Sequence, residues 1–278
     1  MSYIKIIRPA NFLFVGLCVA FGALYPNYIM AVDIWKLLSA VLSGMFIAAA
    51  GYTVNDYYDI EIDKINKPGR VLPSGAMSKS KALLYGIILF LVGIILSYFT
   101  GSVLCLLIAF INSIFLFLYA RFFKREFIIG NILVAYASAS CFLYGGIAGR
   151  NIHNSLIIAF FAFFYTFLRE IVKDMEDEEG DRESGASTIA IKWEKRKVMQ
   201  LCLVPVLAII AFTAYLYLVQ NLANSLFILL MFFVILPLLV FYLILASQDK
   251  VIIYKKISQL MKLDMFILLI IFSIGSYI

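Results

Sequence analysis

Two short stretches of this chain repeat one spacing of acidic side chains. The repeated acids are Asp56, Asp59 and Asp63 in the first stretch and Asp174, Asp177 and Asp181 in the second, each 118 positions further along. On an α-helix, side chains at relative positions 0, 3 and 7 point within an arc of about 60°. Each trio is therefore predicted to place three carboxylates on one helix face.

Carboxylates crowded on one face repel each other unless a cation neutralises them, and Mg²⁺ prefers oxygen ligands of this kind. Asn55 precedes the first trio and can add an amide oxygen, whereas Lys173 occupies the matching position of the second stretch. The repeat is therefore inexact. Two acidic faces nevertheless predict a site for two Mg²⁺ ions.

Acidic residues at the ends of membrane helices are commonly only a solvated fringe, so their distribution matters. Eleven of the seventeen Asp and Glu residues lie within residues 55–63 and 174–183. A general fringe would spread them over all the loops, so the clustering favours metal binding.

Basic residues accompany both acidic stretches and predict an anionic ligand. They are Lys64, Lys67, Arg70, Lys124, Lys173 and Arg182. Arginine makes planar bidentate contacts to phosphate, and lysine supplies a mobile point charge. Divalent ions and cations together suit a diphosphate, so we expect these six residues to bind the substrate.

The elements that position these residues are predicted to be membrane helices. The chain is 64% hydrophobic and 14% charged, with a mean hydropathy of +0.98. A span needs about 20 apolar residues, and nine runs approach this length: 11–30, 35–54, 82–100, 102–120, 127–148, 155–172, 199–219, 223–246 and 258–277. We predict an all-α integral membrane protein whose nine transmembrane helices form one bundle and one domain, residues 1–278.

The charge distribution predicts the orientation of the chain in the cell membrane. Twenty of the 23 Lys and Arg residues lie at the N-terminus or in the loops 55–81, 121–126, 173–198 and 247–262. Because positive loops stay in the cytoplasm, we expect the N-terminus and both acidic motifs inside and the C-terminus outside. These basic residues serve topology and phosphate binding, so no nucleic-acid partner is expected.

Four predicted spans separate the two acidic stretches, so both are expected at the same membrane face. Together with the equal spacing, this predicts an internal repeat, in which helices 1–4 correspond to helices 5–8 and helix 9 completes the bundle.

The four cysteines lie singly in apolar runs, which predicts buried thiols rather than disulfides or zinc ligands.

A membrane site for a metal-bound diphosphate suggests a substrate with a polar head and a long apolar tail, as in polyprenyl diphosphates. Magnesium and bases would stabilise charge on the departing diphosphate. The resulting allylic cation would be attacked by an acceptor inside a chamber that excludes water.

These residues resemble the UbiA-type intramembrane prenyltransferase family. The matching features are Asn55-Asp56-x-x-Asp59-x-x-x-Asp63, Asp174-x-x-Asp177-x-x-x-Asp181 and an N-terminal Arg8-Pro9-Ala10-Asn11. The resemblance implies Mg²⁺-dependent prenyl transfer without a protein partner. It implies catalytic, metal-binding roles for Asn55, Asp59, Asp63, Asp174, Asp177 and Asp181, with Asp56 as a further ligand and Asn11 at the substrate.

Within the family, the two acidic stretches most resemble an archaeal branch of ether-lipid biosynthesis. That branch transfers geranylgeranyl from its diphosphate to geranylgeranylglyceryl phosphate. An alternative is an aromatic-ring polyprenyltransferase of a quinone pathway, which would differ in its acceptor pocket. A third reading is an ion-coupled transporter whose acids bind cations, although such acids should lie at mid-membrane rather than at helix ends.

Overall fold

The structure is a computed structural model that describes residues 1–25, 32–183 and 185–275. Over these ranges the chain forms helices and turns with no β-strand, which confirms the all-α prediction. The helices are α1 Ser2–Ile6, α2 Pro9–Leu24, α3 Ile34–Tyr58, α4 Ile60–Asn66, α5 Lys79–Tyr98, α6 Val103–Leu118, α7 Ile129–Ala148, α8 Ile152–Glu183, α9 Ile189–Lys192, α10 Lys195–Leu218, α11 Asn224–Leu230, α12 Leu236–Ser247 and α13 Val251–Gly275. π-helical turns follow α6 at Tyr119–Phe123 and link α11 to α12 at Met231–Ile235.

The chain is a multi-pass membrane protein. Within the described part of the chain, eight helical segments are long and apolar enough to cross a bilayer: Ile34–Tyr58, Lys79–Tyr98, Val103–Phe123, Ile129–Ala148, Ile152–Glu183, Lys195–Leu218, Asn224–Ser247 and Val251–Gly275. Large apolar side chains such as Leu104, Leu107 and Phe110 lie on the outer surface, as a lipid environment requires.

The first predicted span, 11–30, coincides with α2, which has 16 residues and is shorter than the others. Residues 26–31 of that prediction lie outside the described part of the chain. Nine spans, the internal repeat and the orientation of the termini therefore remain predictions.

The chain divides into two compact units by its internal contacts. The first contains Met1–Lys124 and Ala139–Ala159, and the second contains Arg125–Ser138 and Phe160–Ile278. The helices α7 and α8 each contribute residues to both units.

The first unit is organised around α3, which packs against α2, α5 and α6. Its core uses small side chains, because small residues allow membrane helices to approach closely. A Cβ atom added to Gly145 of α7 would overlap the backbone of Val19 in α2, so these helices meet at backbone distance. The buried Tyr144 hydroxyl donates to Ser43 Oγ over 2.8 Å and ties α7 to α3.

In the second unit, α11 and α12 pack against α13, and α10 packs against α11 and α12. Helix α8 contacts α13 through buried aromatic side chains. The rings of Phe161 in α8 and Phe272 in α13 are 5.4 Å apart in an edge-to-face contact. The short connection at 219–223 joins α10 to α11. Of the four cysteines, Cys18, Cys105 and Cys202 are buried and Cys141 is half-buried.

Candidate functional site

The first acidic cluster lies where α3 ends and α4 begins. Asp59 occupies the junction, and its backbone N–H still donates to Asn55 O at 3.0 Å. The N–H of Asp63 donates to Asp59 O at 2.8 Å, so the helical path continues through the bend. Asp56, Asp59 and Asp63 are only 5%, 5% and 4% exposed, so three carboxylates are buried within eight residues of chain.

Two arginines from other segments neutralise Asp56 and Asp63. Arg8 Nη2 donates to Asp56 Oδ1 at 2.6 Å. Arg70 Nη1 lies 3.3 Å from the same oxygen and 2.5 Å from Asp63 Oδ2, so this guanidinium bridges two carboxylates. Such pairing is required because a buried carboxylate without a cation is strongly destabilising.

Asp59 has a separate pair of donors. Asn55 Nδ2 donates to Asp59 Oδ2 at 2.7 Å, and Lys124 Nζ donates to the same oxygen. Lys124 directly follows the π-helical turn at Tyr119–Phe123, a distortion that is frequent at functional sites. Three buried carboxylates therefore face three basic side chains from three different parts of the first unit.

The N-terminal segment is fixed in a conformation that places Arg8 on this cluster. Arg8 caps α2 with φ 53° and ψ 75°, in the left-handed region, and the following Pro9 disfavours the ordinary helical conformation for it. Ile6 is buried against Val71 and Leu72 of the loop after α4. The guanidinium of Arg8 also lies 5.2 Å from the centre of the Tyr52 ring.

The other substrate-binding residues predicted in the first unit have different surroundings. Lys64 Nζ pairs with Glu61 at 2.9 Å, and both side chains are more than half exposed. Asn11 is half-buried in α2, three positions after Arg8. Lys67 ends α4 beside Arg70; partial burial lowers the pKa of Lys67, and the positive charge of Arg70 lowers it further. An arriving anion would favour the protonated form of Lys67.

The second acidic cluster lies at the end of α8, which carries Asp174, Asp177 and Asp181 on one uninterrupted helix. Asn131 Nδ2 of α7 donates to Asp174 Oδ2 at 2.9 Å. Asp174 and Asp181 are half-buried, and Asp177 is exposed. This cluster is therefore more open than the first.

The predicted cations beside the second cluster pair locally. Lys173 Nζ lies 3.3 Å from Glu170 Oε2, and Arg182 Nη2 lies 2.8 Å from Glu178 Oε1. These contacts span three and four helix positions. The Arg182–Glu178 pair is exposed and adds little stability, so Arg182 can leave its partner at small energetic cost. Glu170 is only 12% exposed and also pairs with Arg169, so it keeps a basic partner if Lys173 moves away.

The side chains of both clusters suit a hard divalent cation, because such ions prefer carboxylate and amide oxygens as ligands. Among the described residues, however, no three His, Cys, Asp or Glu side chains converge as metal ligands. In the first cluster the carboxylate oxygens accept from Arg8, Arg70 and Lys124 instead. A metal would take over oxygens that these basic side chains now hold.

Two residues of these arrangements were missed by sequence reasoning. Arg8 was noted only as part of the Arg-Pro-x-Asn opening, although it contacts Asp56, 48 positions away. Asn131 is a polar residue in the apolar run 127–148, and only the structure connects it to Asp174. The signal for each was an isolated polar residue beside a span.

Comparison with known proteins identifies relatives over the whole chain. The sequence model of the UbiA prenyltransferase family matches residues 10–270. The digeranylgeranylglyceryl phosphate synthase of Methanosphaera stadtmanae is 33% identical over 281 residues, covering 99% of this chain and 98% of the relative.

Two solved structures share the fold. One, described as digeranylgeranylglyceryl phosphate synthase in membranes, superposes with a TM-score of 0.87 at 34% identity and covers 99% of this chain and 97% of that chain. A UbiA homologue from Archaeoglobus fulgidus, bound to GPP and Mg²⁺, has a TM-score of 0.69 at 19% identity and covers 98% of this chain and 100% of that chain. The latter likeness concerns the fold alone.

Proposed function

The chain belongs to the UbiA prenyltransferase family, and from this we propose that it transfers a geranylgeranyl group from geranylgeranyl diphosphate to geranylgeranylglyceryl phosphate. The acceptor rests on one observation, the match of almost the full chain to a digeranylgeranylglyceryl phosphate synthase at 33% identity. The donor has independent support from the buried carboxylates and their basic partners.

The reaction exchanges one carbon–oxygen bond for another. The bond between the allylic carbon and the diphosphate oxygen breaks, and the diphosphate leaves with the electron pair. The free hydroxyl of the acceptor then forms an ether bond to that carbon and loses its proton. The products are digeranylgeranylglyceryl phosphate, diphosphate and one proton.

We propose that two Mg²⁺ ions serve the donor. The first cluster would hold one ion with Asn55, Asp56, Asp59 and Asp63, and the second would hold the other with Asp174, Asp177 and Asp181. When bound, Mg²⁺ neutralises diphosphate oxygens and stabilises charge that develops on the leaving group. The sequence permits both clusters to serve one donor, because four predicted spans between them return the chain to the same membrane face.

The basic side chains of the first cluster have two successive tasks in this proposal. Before the donor binds, Arg8, Arg70 and Lys124 neutralise the three buried carboxylates. When a metal takes those oxygens, the cations become available to phosphate oxygens, with which they form strong charge-assisted hydrogen bonds. The same side chains thus stabilise both the empty and the loaded site.

The remaining substrate contacts stay proposals from the sequence. Asn11, Lys64, Lys67, Lys173 and Arg182 would assist phosphate binding, and the acceptor phosphate would use part of this surplus charge. The bias of Lys and Arg toward one set of loops supports cytoplasmic acidic motifs, with the N-terminus inside and the C-terminus outside.

The acceptor is tested by offering the purified protein labelled geranylgeranyl diphosphate and Mg²⁺ with geranylgeranylglyceryl phosphate or 4-hydroxybenzoate in separate reactions. We expect a doubly prenylated glyceryl phosphate and no prenylated ring, and we expect EDTA to stop the transfer. Formation of a prenylated ring would instead show that the acceptor is aromatic, and the proposed donor site would stand. No product from either acceptor would contradict the proposed activity.

Arg70→Ala is expected to raise the KM for geranylgeranyl diphosphate about tenfold or more. A hydrogen bond to a charged group contributes about 1.5–3 kcal/mol, and about 1.4 kcal/mol corresponds to a factor of ten. The KM of Arg70→Lys should lie between that of Arg70→Ala and that of the original protein. Initial rates at varied donor concentration measure the effect.

Lys64→Ala is the matched control for Arg70→Ala, because Lys64 is a neighbouring cation with an exposed acidic partner, Glu61. We expect its KM to stay within about twofold of the original value, as surface ion pairs contribute about 0–1 kcal/mol. Equal KM values in the Arg70→Ala and Lys64→Ala proteins would show that Arg70 does not bind the donor and serves only the orientation of the chain in the membrane.

A further inference from the structure

A row of polar contacts joins α8 to α13 inside the second unit. The Tyr165 hydroxyl donates to Asp264 Oδ2, and these side chains belong to residues that are 0% and 4% exposed. Asp264 lies near the middle of α13, a helix long and apolar enough to cross the bilayer. An ionisable residue in such a position is rare and usually has a specific role.

Two further contacts extend this row toward the end of α8 that carries the acids. Arg169 Nε donates to the backbone oxygen of Ser258 at 3.3 Å. Ser258 Oγ donates to Glu176 Oε2 at 2.8 Å. We call these three contacts the α8–α13 seam; it consists of Tyr165, Arg169 and Glu176 on α8 and of Ser258 and Asp264 on α13.

The seam and the second acidic cluster occupy different faces of α8. At about 100° per residue, Tyr165, Arg169 and Glu176 point within about 40° of one another. On the same scale, the acidic trio points about 120–180° away from Tyr165. On that other side, Asn131 of α7 donates to Asp174 at 2.9 Å.

The rotation of α8 about its axis determines where the three carboxylates point. Apolar packing between membrane helices fixes that rotation weakly, because lipid tails are as apolar as the side chains they would replace. Hydrogen bonds fix it more narrowly, since a rotated helix would leave buried polar groups unpaired. A reacting or ligating group displaced by about 1 Å can lose catalysis about 10²-fold.

We propose that Tyr165, Ser258 and Asp264 are positioning residues for the second metal site. They hold the rotation of α8 from the face opposite Asp174, Asp177 and Asp181, so that the carboxylates meet the cation in a ligating arrangement. The burial of Tyr165 and Asp264 keeps both away from substrate, which separates this role from that of a catalytic residue. This inference rests on the proposed function of the second cluster.

The direct test is metal binding by the purified full chain in detergent without substrate. Mn²⁺ serves as the probe, and its free concentration is followed by electron paramagnetic resonance. Tyr165→Phe and Asp264→Leu each remove the buried hydrogen bond. We expect each to weaken Mn²⁺ binding by about tenfold, because groups that orient metal ligands typically contribute 10–100-fold to affinity.

Two further variants distinguish positioning from loss of packing or charge. Asp264→Asn keeps an oxygen that accepts from the Tyr165 hydroxyl, so we expect Mn²⁺ binding within about threefold of the original protein. Phe272→Leu reduces a buried contact between α13 and Phe161 of α8 but leaves the seam intact. We expect Phe272→Leu to lower thermal stability without changing Mn²⁺ affinity.

The outcomes separate clearly. Original Mn²⁺ affinity in both Tyr165→Phe and Asp264→Leu would overturn the proposal and leave the seam a purely structural contact. Binding by Asp264→Asn as weak as that by Asp264→Leu would also overturn it, because charge rather than position would then be essential. Normal Mn²⁺ binding in the original protein without geranylgeranyl transfer would contradict the proposed function and leave the positioning role intact.

Discussion

Asp59→Ala is expected to lower the rate of geranylgeranyl transfer about 10³-fold while leaving a folded protein. The side chain would ligate the cation that stabilises the departing diphosphate, and removing one preorganised group of this kind reduces kcat about 10²–10³-fold. Its loss also leaves Lys124 without this partner, but the lysine side chain is 34% exposed and can be solvated. The change therefore acts on the reaction more than on folding.

Transfer at saturating donor and Mg²⁺ measures this effect, and size-exclusion chromatography in detergent verifies the fold. Glu61→Ala is the matched control, because Glu61 lies two positions from Asp59 and its side chain is 75% exposed. We expect the control to retain nearly full activity. An Asp59→Ala protein as active as the Glu61→Ala protein would exclude the first cluster from the metal site.

Asp177→Ala is expected to reduce transfer by a similar factor, although its surroundings differ. Asp177 is exposed near the end of α8, so its removal should change the free energy of unfolding little. Glu179→Ala is the control, because Glu179 is also exposed on α8 but points to another face of the helix. Equal activity in these two variants would refute the role of the second cluster.

Combining Asp59→Ala with Asp177→Ala tests whether the clusters act together. Residues that act as a unit are strongly non-additive, so the double variant should lose little more activity than either single variant. Multiplied losses would indicate that the clusters contribute independently to transfer.

The helical architecture was predictable because membrane helices leave a direct record in the sequence. Apolar runs of sufficient length must satisfy their own backbone hydrogen bonds and therefore form helices. Their exact ends are less well recorded: α8 continues to Glu183, well beyond the predicted span 155–172, because helical hydrogen bonding does not stop where the bilayer does. The bend at Asp59 also leaves no simple pattern in the sequence.

The acids of the candidate site were predictable from spacing, whereas their partners were not. Lys124 was predicted to bind the substrate, and the structure pairs it with Asp59 over 65 positions of sequence. Arg8 contacts Asp56 from the other direction along the chain. Such pairs depend on helix packing, which periodicity within one helix does not determine.

Asp264 shows a signal that was present in the sequence and passed over. It is the one acidic residue within the predicted span 258–277. An ionisable residue inside a span is costly, so it indicates a specific role and a polar partner on another helix. Its partner, Tyr165, is 99 positions away, so no local pattern in the sequence connects the two residues.

The ion pairs of the first cluster have a consequence for folding of the protein. Zinc fingers are unfolded without their metal, because metal binding supplies their folding free energy. Here Arg8, Arg70 and Lys124 already neutralise the buried carboxylates, so this part of the chain can reach its native state before any ion arrives. Folding of the first cluster should therefore not require Mg²⁺, and EDTA should stop transfer without unfolding the protein.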